Sequence, residues 1–356
     1  MNAGARPHAA TSTFAALALP LDAARSAVLR LVGRPGRGFL ADRAARVGLY
    51  ATIGIVVALA LACVAPLWAF ALGPILLGVP HLVADVRYLV VRPGLHRRRS
   101  LVIAVGLPIV VATLVQSPAI GLASGAGAVV FATSDRIELS PRRVALLVAL
   151  AAAVVVAAMA PRATSLALLH GHNVLAVVLF LVAFARSRRV GAYVAVASVV
   201  ASAALLGGAF DSVILSAVDH GAGPRTGLSF EGMLDVLAPN VADPVTAMRV
   251  AIFFVFAQGV HYAVWLRMVP EEARERPGIR SFGSSIAALE RELGAWVVGG
   301  VALLAVALLA RAGGSLEAAR LLYLRGSGFH GYLEIAFLLY WLSTPRSRAQ
   351  ECPSVS

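Results

Sequence analysis

From Leu49 onward the chain alternates long apolar runs with short segments rich in arginine, glycine and proline. The runs lie at about Leu49 to Trp68, Ala69 to Val91, Leu101 to Gln116, Ile120 to Ala132, Val144 to Ala160, Ser165 to Ala185, Val190 to Phe210, Ala247 to Met268, Leu293 to Ala310 and Leu316 to Leu342. A helix needs about 20 apolar residues to cross the bilayer hydrocarbon. The pattern therefore predicts an all-α fold, a polytopic integral membrane helical bundle of about ten transmembrane helices, with eight as the lower bound. The third and fourth runs set that bound. They are short and hold Pro108, Pro118 and several glycines, which suits a hairpin that stops short of a full crossing as well as two spans.

Composition sharpens this picture. The 356 residues are 59% hydrophobic and 14% charged, with a mean hydropathy of +0.83. Soluble domains average about 45–50% apolar and about 25% charged, so a soluble enzyme is excluded. Three regions are expected: an Arg-rich cytoplasmic lead-in over residues 1–46, a single transmembrane domain over 47–345, and a cytoplasmic tail over 346–356. The lead-in has an apolar patch around Phe14 to Leu21, then Arg25, Arg30, Arg34, Arg37, Arg43 and Arg46. It lacks the long apolar region and cleavage site of a signal peptide.

The formal charge of +13 would suggest nucleic acid in a soluble protein. Here the basic residues, all arginine, sit at the ends of apolar runs and face anionic headgroups. Membrane lipids, and no nucleic acid, are the expected partners. Arg bias in short loops also sets orientation. Arg92 to Arg99, Ser134 to Arg143, Arg186 to Arg189, Arg267 to Glu292 and the tail with Arg346 and Arg348 are expected inside. Pro161 to Thr164 and the stretch Asp211 to Thr246, with Asp219, Glu231, Asp235 and Asp243 against Arg225, are expected outside. Both termini are then cytoplasmic, in what is expected to be a bacterial inner membrane. Within Pro277 to Glu292, the helical spacing of Ile279, Phe282, Ile286 and Leu289 predicts an interfacial helix. Cys63 and Cys352 form neither a disulfide framework nor a metal-binding spacing.

Ionisable residues at membrane depth are costly and usually functional, so the eight histidines carry the most information. His8, His96 and His220 fall outside the runs. His81, His170, His172, His261 and His330 fall inside the second, sixth, eighth and tenth, all of which run in the same direction. At 1.5 Å per residue they share a slab about 10 Å thick, close enough to meet at one metal ion. His170 and His172 point about 200° apart on a helix; His172, followed by Asn173, is the expected ligand and His170 the fallback. His81 and Asp85, and His330 and Glu334, are i, i+4 pairs on shared helix faces. Each carboxylate suits either an acceptor for its histidine's other ring N–H or a direct ligand. Glycines flank every one of these histidines, which allows close helix approach, and Pro80 interrupts the backbone ladder just before His81.

The expected metal ligands are therefore His81, His172, His261 and His330, with Asp85, Glu334 and Tyr262 as catalytic candidates. Gln258 and Tyr332 are further groups able to bind a substrate. Against this stands the reading that such histidines merely hydrogen-bond between helices. Arg87 and Arg325 are expected to snorkel to headgroups, and Trp68, Trp265, Trp296 and Trp341 to form an aromatic belt. An imidazole-rich site with carboxylates and no thiolate suits non-haem iron, zinc or copper. Iron fits the context best, since oxidation of a lipid or isoprenoid substrate requires O₂ activation; zinc hydrolysis stays open.

The segment Gly78-Val79-Pro80-His81-Leu82-Val83-Ala84-Asp85 resembles the Pro-His motif, with Asp four residues later, of the bacterial Brp/Blh family of β-carotene 15,15′-dioxygenases. That resemblance implies a multi-helix membrane protein whose His-bound iron cleaves a carotenoid with O₂ to give retinal, with His81 as a ligand and Asp85 its neighbour. The chain departs from the family in carrying Leu82-Val83 where a Gly-Ala pair is usual, and in having no later i, i+4 histidine pair. Competing readings are haem bound by His81, His172, His261 and His330, and a transporter relaying protons through Asp85, His81 and Glu334. A desaturase or hydroxylase is disfavoured because HxxxH and HxxHH clusters are missing.

Overall fold

The computed structural model describes residues 12–134, 136–137, 139–220, 228–275, 278 and 280–344. His8, Arg225, Pro277, Ile279 and the tail with Arg346, Arg348 and Cys352 lie outside them. The described residues are helical with no strand. Seven helices are long and apolar enough to cross a membrane: α1 (Arg43–Val64), α2 (Pro66–Val91), α5 (Pro141–Met159), α6 (Pro161–Phe184), α7 (Arg188–Leu206), α10 (Pro244–Glu272) and α12 (Ala295–Gly314). Between them stand the shorter apolar α3 (Arg99–Val115) and α4 (Pro118–Val130). Further helices are α8 (Asp211–Asp219), α9 (Phe230–Leu237), α11 (Phe282–Leu293), α13 (Leu316–Ser327) and α14 (Phe329–Ser343).

Sharp starts explain these boundaries. Asp42, Ser140, Ser187 and Asp243 each accept a hydrogen bond from a backbone N–H of the first turn of α1, α5, α7 and α10, satisfying donors that a helix end leaves free. Pro66, Pro118, Pro141, Pro161 and Pro244 occupy first positions, where the missing N–H costs nothing.

These signals move several expected limits. The break between the first two runs lies at Ala65-Pro66 and not after Trp68, because a residue before proline avoids helical geometry. The lead-in ends at the Asp42 cap and holds two short helices, Leu19–Leu31 and Gly33–Ala41. The run Leu316 to Leu342 is two helices meeting at Gly328. The acidic stretch after Phe210 is not plain loop, since it contains α8 and α9. The expected interfacial helix starts later, at Phe282, where Ser281 caps it.

The core centres on α10. Two-thirds of its apolar window is buried (67%), against 6% for α12. Its closest neighbour is α1. A Cβ on Gly54 would come within 2.6 Å of Ala263 Cβ, and one on Gly259 within 2.7 Å of Ala58 Cβ. Gly54/Ala58 and Gly259/Ala263 are thus two facing small-xxx-small pairs, which let membrane helices approach to backbone contact.

One end of the bundle is tied by arginines. Arg46, 1% exposed, meets Glu271 of α10. Arg87 and Arg92 both grip Glu292 of α11, at 2.7 and 3.0 Å. Arg87 therefore does not snorkel: it is 9% exposed because a carboxylate reaches it inside the protein. The lead-in closes on the same helix. Asp22 accepts from the N–H groups of Phe282 and Gly283, and Glu290 from those of Thr13 and Phe14.

Candidate metal centre

Four helices deliver one imidazole each to a common buried point. His81 comes from the middle of α2, His172 from α6, His261 from α10 and His330 from the second residue of α14. Ring centroids follow one another at 4.8 Å (His81–His330), 5.1 Å (His330–His172), 5.2 Å (His172–His261) and 5.0 Å (His261–His81), each pair edge to face. His81 and His261 are 1% exposed and His330 is 9% exposed. One ligand atom from each of His81, His261 and His330 lies within 4.8 Å of the others. Two nitrogens on one ion at about 2.0–2.1 Å are at most about 4.2 Å apart, so a closure of about half an ångström would suffice.

Local structure aims these rings. Both α2 and α10 depart from α-helical winding next to their histidines, with π-helical turns at Gly73–Gly78 and Val264–Met268. Such turns rotate a side chain out of the normal register and recur at functional sites. His81 Nδ1 lies 2.7 Å from the Gly78 carbonyl and His172 Nδ1 3.1 Å from that of Leu168. His330 Nδ1 bonds the Ser327 carbonyl at the α13/α14 junction. A carbonyl only accepts, so all three rings carry their proton on Nδ1 and present the Nε2 lone pair. That is how a metal-binding imidazole is normally oriented. His261 has no hydrogen-bond partner on either nitrogen.

Two carboxylates complete the group, in different ways. Asp85 is fully buried and its Oδ2 lies 3.5 Å from His81 Nε2. Neither of its oxygens has a hydrogen-bond partner. Glu334 is also fully buried, yet it does not serve His330, its i−4 neighbour. The His330 ring is taken up by Ser327, and Glu334 instead accepts a 2.6 Å hydrogen bond from Trp265 Nε1 and approaches His261 Nε2 at 3.8 Å. Trp265, expected in an interfacial belt, is 0% exposed beneath the centre, whereas Trp296 is 96% exposed. The π-helical turn Val264–Met268 gives it this position. The sequence holds a signal for it, as His261 and Trp265 are themselves i, i+4.

Other expected residues separate clearly. The Tyr262 ring stands 5.2 Å from His81 and 5.8 Å from His261. Tyr262 and Gln258 both border Gly73, where a Cβ would lie 3.3 Å from the ring and 3.6 Å from Gln258 Oε1. Tyr332 points away, its ring filling the space above Gly121 of α4. His170 also points away, bonding the Leu237 carbonyl at 2.9 Å and packing on Phe254. Tyr323, not anticipated, places its hydroxyl 3.5 Å from His81 Nδ1 and its ring against Gly78.

Buried polar atoms in native proteins almost always have partners, and an unpaired buried carboxylate is especially costly. Here His81 Nε2, both His261 nitrogens, both Asp85 oxygens and Glu334 Oε2 are orphaned around one point. The His81, His261 and His330 nitrogens, with the His172 ring against them and two carboxylates beside them, suit a hard or borderline divalent cation, and one dication balances two ionised carboxylates. The residues fit such an ion. They do not fit haem, because imidazoles in mutual edge contact leave no gap for a porphyrin plane. Comparison with protein-family models, with curated proteins and with solved structures gave no match.

Proposed function

We propose that this protein is a membrane-embedded non-haem iron oxygenase that acts on a lipid or isoprenoid substrate. The observation that carries the reading is the convergence of the His81, His172, His261 and His330 rings, with the unpartnered oxygens of Asp85, on one buried point. Ten spans, with both termini on the cytoplasmic side of a bacterial inner membrane, is the arrangement that the arginine distribution favours. In it α3 and α4 are two short spans, and α13 with α14 makes one span broken at Gly328.

Iron held there would supply the O₂ activation needed to oxidise a C–H or C=C bond. The protein's own part is preorganisation. Three backbone carbonyls lock the imidazole tautomers, and Trp265 fixes Glu334 Oε1, the same oxygen that approaches His261 Nε2, which leaves Oε2 unpartnered. In this reading Asp85, with both oxygens unpartnered 3.5 Å from His81 Nε2, serves as a direct ligand, and Glu334, tethered by Trp265, serves as a positioning residue. Burial of His81, His261, Asp85 and Glu334 keeps the centre away from bulk water. Tyr262 and Gln258, buried beside Gly73, are the polar groups that would orient the substrate. The Pro80-His81 motif and its likeness to the Brp/Blh family make carotenoid cleavage to retinal the first reaction to assay.

Elemental analysis of detergent-purified protein is the direct test, followed by pigment chromatography from carotenoid-producing cells that express it. About one iron per chain and conversion of a lipid or carotenoid are expected. Protein purified from iron-replete cells that carries no iron, zinc or copper would overturn the reading.

A further inference from the structure

A second feature lies on the face of the bundle opposite the Arg46–Glu271 ties. The N-termini of α4 and α6 and the end of α9 surround a cleft of about 540 Å³, lined by Gln116, Pro118, Arg162, Leu166, Leu169 and Val236 among others. It is a shallow depression, widely open to its surroundings, with a volume in the range of sites that take a drug-sized ligand, roughly 300–1,000 Å³. Its walls are mainly aliphatic and proline side chains. Arg162 is exposed at the first turn of α6. Among the described residues it has neither a hydrogen bond nor an ion pair, unlike Arg249 nearby in the fold, which is held by Asp211 at 2.6 Å.

The cleft is connected to the imidazole cluster by the helix that lines it. Arg162, Ser165, Leu169 and His172 are spaced i, i+3, i+7 and i+10, so all four lie on one face of α6. The first three line the cleft and the fourth is in the cluster. Helical side chains lean back toward the N-terminus, so the His172 ring inclines toward the cleft floor. Its Nδ1 bonds the Leu168 carbonyl, beside floor residue Leu169. From Arg162 to His172 the rise is about 15 Å. A cation stands at one end of this stripe, an aliphatic wall in the middle and a candidate catalytic centre at the other end.

We infer that this cleft is the entry and binding site of a single-chain anionic amphiphile, with its carboxylate or phosphate head on Arg162 and its chain running down α6 toward His172. The inference rests on the metal-centre reading for what happens at the far end, but not for binding in the cleft. It narrows the substrate class from lipids in general to those with one chain and an anionic head. Arg162 supplies a charge-assisted contact that a carotenoid hydrocarbon could not use.

The test uses the full chain in detergent and a palmitate analogue with a diazirine near the end of its chain. After photolysis, adducts are expected on residues 165–173 and 233–239, with excess palmitate suppressing them. Arg162→Glu should weaken labelling about tenfold, the size of one lost charge-assisted bond, and Leu169→Trp should abolish it by filling the floor. Because Arg162 is exposed, its variant reports binding even if the Leu169 variant fails to fold. Competition by dodecyl phosphate as strong as by palmitate identifies a general anion site, and competition by palmitate alone a carboxylate site. Adducts spread over lipid-facing helices, or unchanged labelling in Arg162→Glu together with equal competition by methyl palmitate or β-carotene, would overturn the inference. Metal content is measured on the same samples. Cleft labelling without bound metal would end the oxygenase reading and leave the cleft standing; bound metal without cleft labelling would do the reverse.

Discussion

His81–Asp85 in α2 and His330–Glu334 in α14 are the same motif by sequence, a histidine with a carboxylate one turn later. In the fold they do different things. Asp85 stays with its own histidine, at 3.5 Å from Nε2, and its oxygens bond nothing else. Glu334 leaves His330 to Ser327 and crosses to α10, where Trp265 and His261 receive it. An i, i+4 spacing fixes a shared face; which neighbour occupies that face is decided by the packed partner helix. α14 packs mainly on α4, with α3 and α6 beside it, and the Glu334 side chain reaches across to Trp265 and His261 of α10.

The sharpest way to break this comparison is to remove the rings themselves. His81→Ala, His261→Ala and His330→Ala should each lower bound metal by more than the roughly 10–100-fold typical of losing a supporting partner. His170→Ala should leave metal content unchanged, because that ring bonds Leu237 outside the cluster. Equal metal content in all four variants would mean that the rings are only packed together.

Next comes the difference between the two carboxylates. If Asp85 is a ligand and Glu334 a positioning residue, Asp85→Asn should weaken metal affinity by more than about 100-fold and Glu334→Gln by about tenfold, within the range of about 10–100-fold for a group that supports a ligand. Trp265→Phe should reproduce the Glu334→Gln effect, and the double variant should add little, as expected for groups in one hydrogen-bonded unit. Titration with a chelator-buffered metal measures all four. A larger loss for Glu334→Gln than for Asp85→Asn would reverse the assignment.

Much of this was legible in the sequence, for identifiable reasons. Continuous apolar runs, and Ser, Asp and Pro at helix starts, announce membrane helices whatever their neighbours. Histidines at matching depth on four runs announce a centre, because an imidazole in hydrocarbon needs a partner. Partner choice was not legible. Trp265 reads as one of four tryptophans near run ends, and only the π-helical turn at Val264–Met268 turns it beneath the centre. Arg87 reads as a snorkelling residue until α11 folds back to bring Glu292 within 2.7 Å. In both cases the missing information is a contact across many residues of sequence, which no local spacing encodes.

A third perturbation acts on the Glu334 side alone. Gly259 lies two residues before His261, and α10 approaches α1 there to Cβ contact distance. Gly259→Leu has to push α1 away, since the obstacle is Ala58 Cβ, an atom fixed to the backbone. Overpacking of this kind costs about 1–3 kcal/mol, more than the gain of about 0.8–1 kcal/mol in helix propensity on replacing glycine. The melting temperature in detergent should fall, and metal affinity should drop with it as His261 and Trp265 shift. Gly106→Leu, at a glycine with open space around its Cβ position, should do neither.

The smallest effect concerns the other side, two residues beyond Asp85, where Arg87 ties α2 to α11. Burial works against ionisation of Glu292, but hydrogen bonds from Arg87 and Arg92 outweigh it and hold the carboxyl at about 2, below its ordinary 4.5. A depressed folded value means that the stabilisation is complete above pH 4.5 and is lost as the pH falls toward 2. Linkage sets an upper bound of about 3 kcal/mol, and solvent screening at this half-buried site reduces it to about 1 kcal/mol. Amide exchange in Phe282–Leu293 should therefore accelerate between pH 4.5 and 2 in the wild type. Asp22 and Glu290 also hold this segment and titrate in both proteins, so the informative quantity is the difference from Glu292→Gln. That variant should start from faster exchange and show the smaller change with pH. Identical pH dependence in the two proteins would mean that the Arg87–Glu292 tie does not anchor the α2 side of the centre.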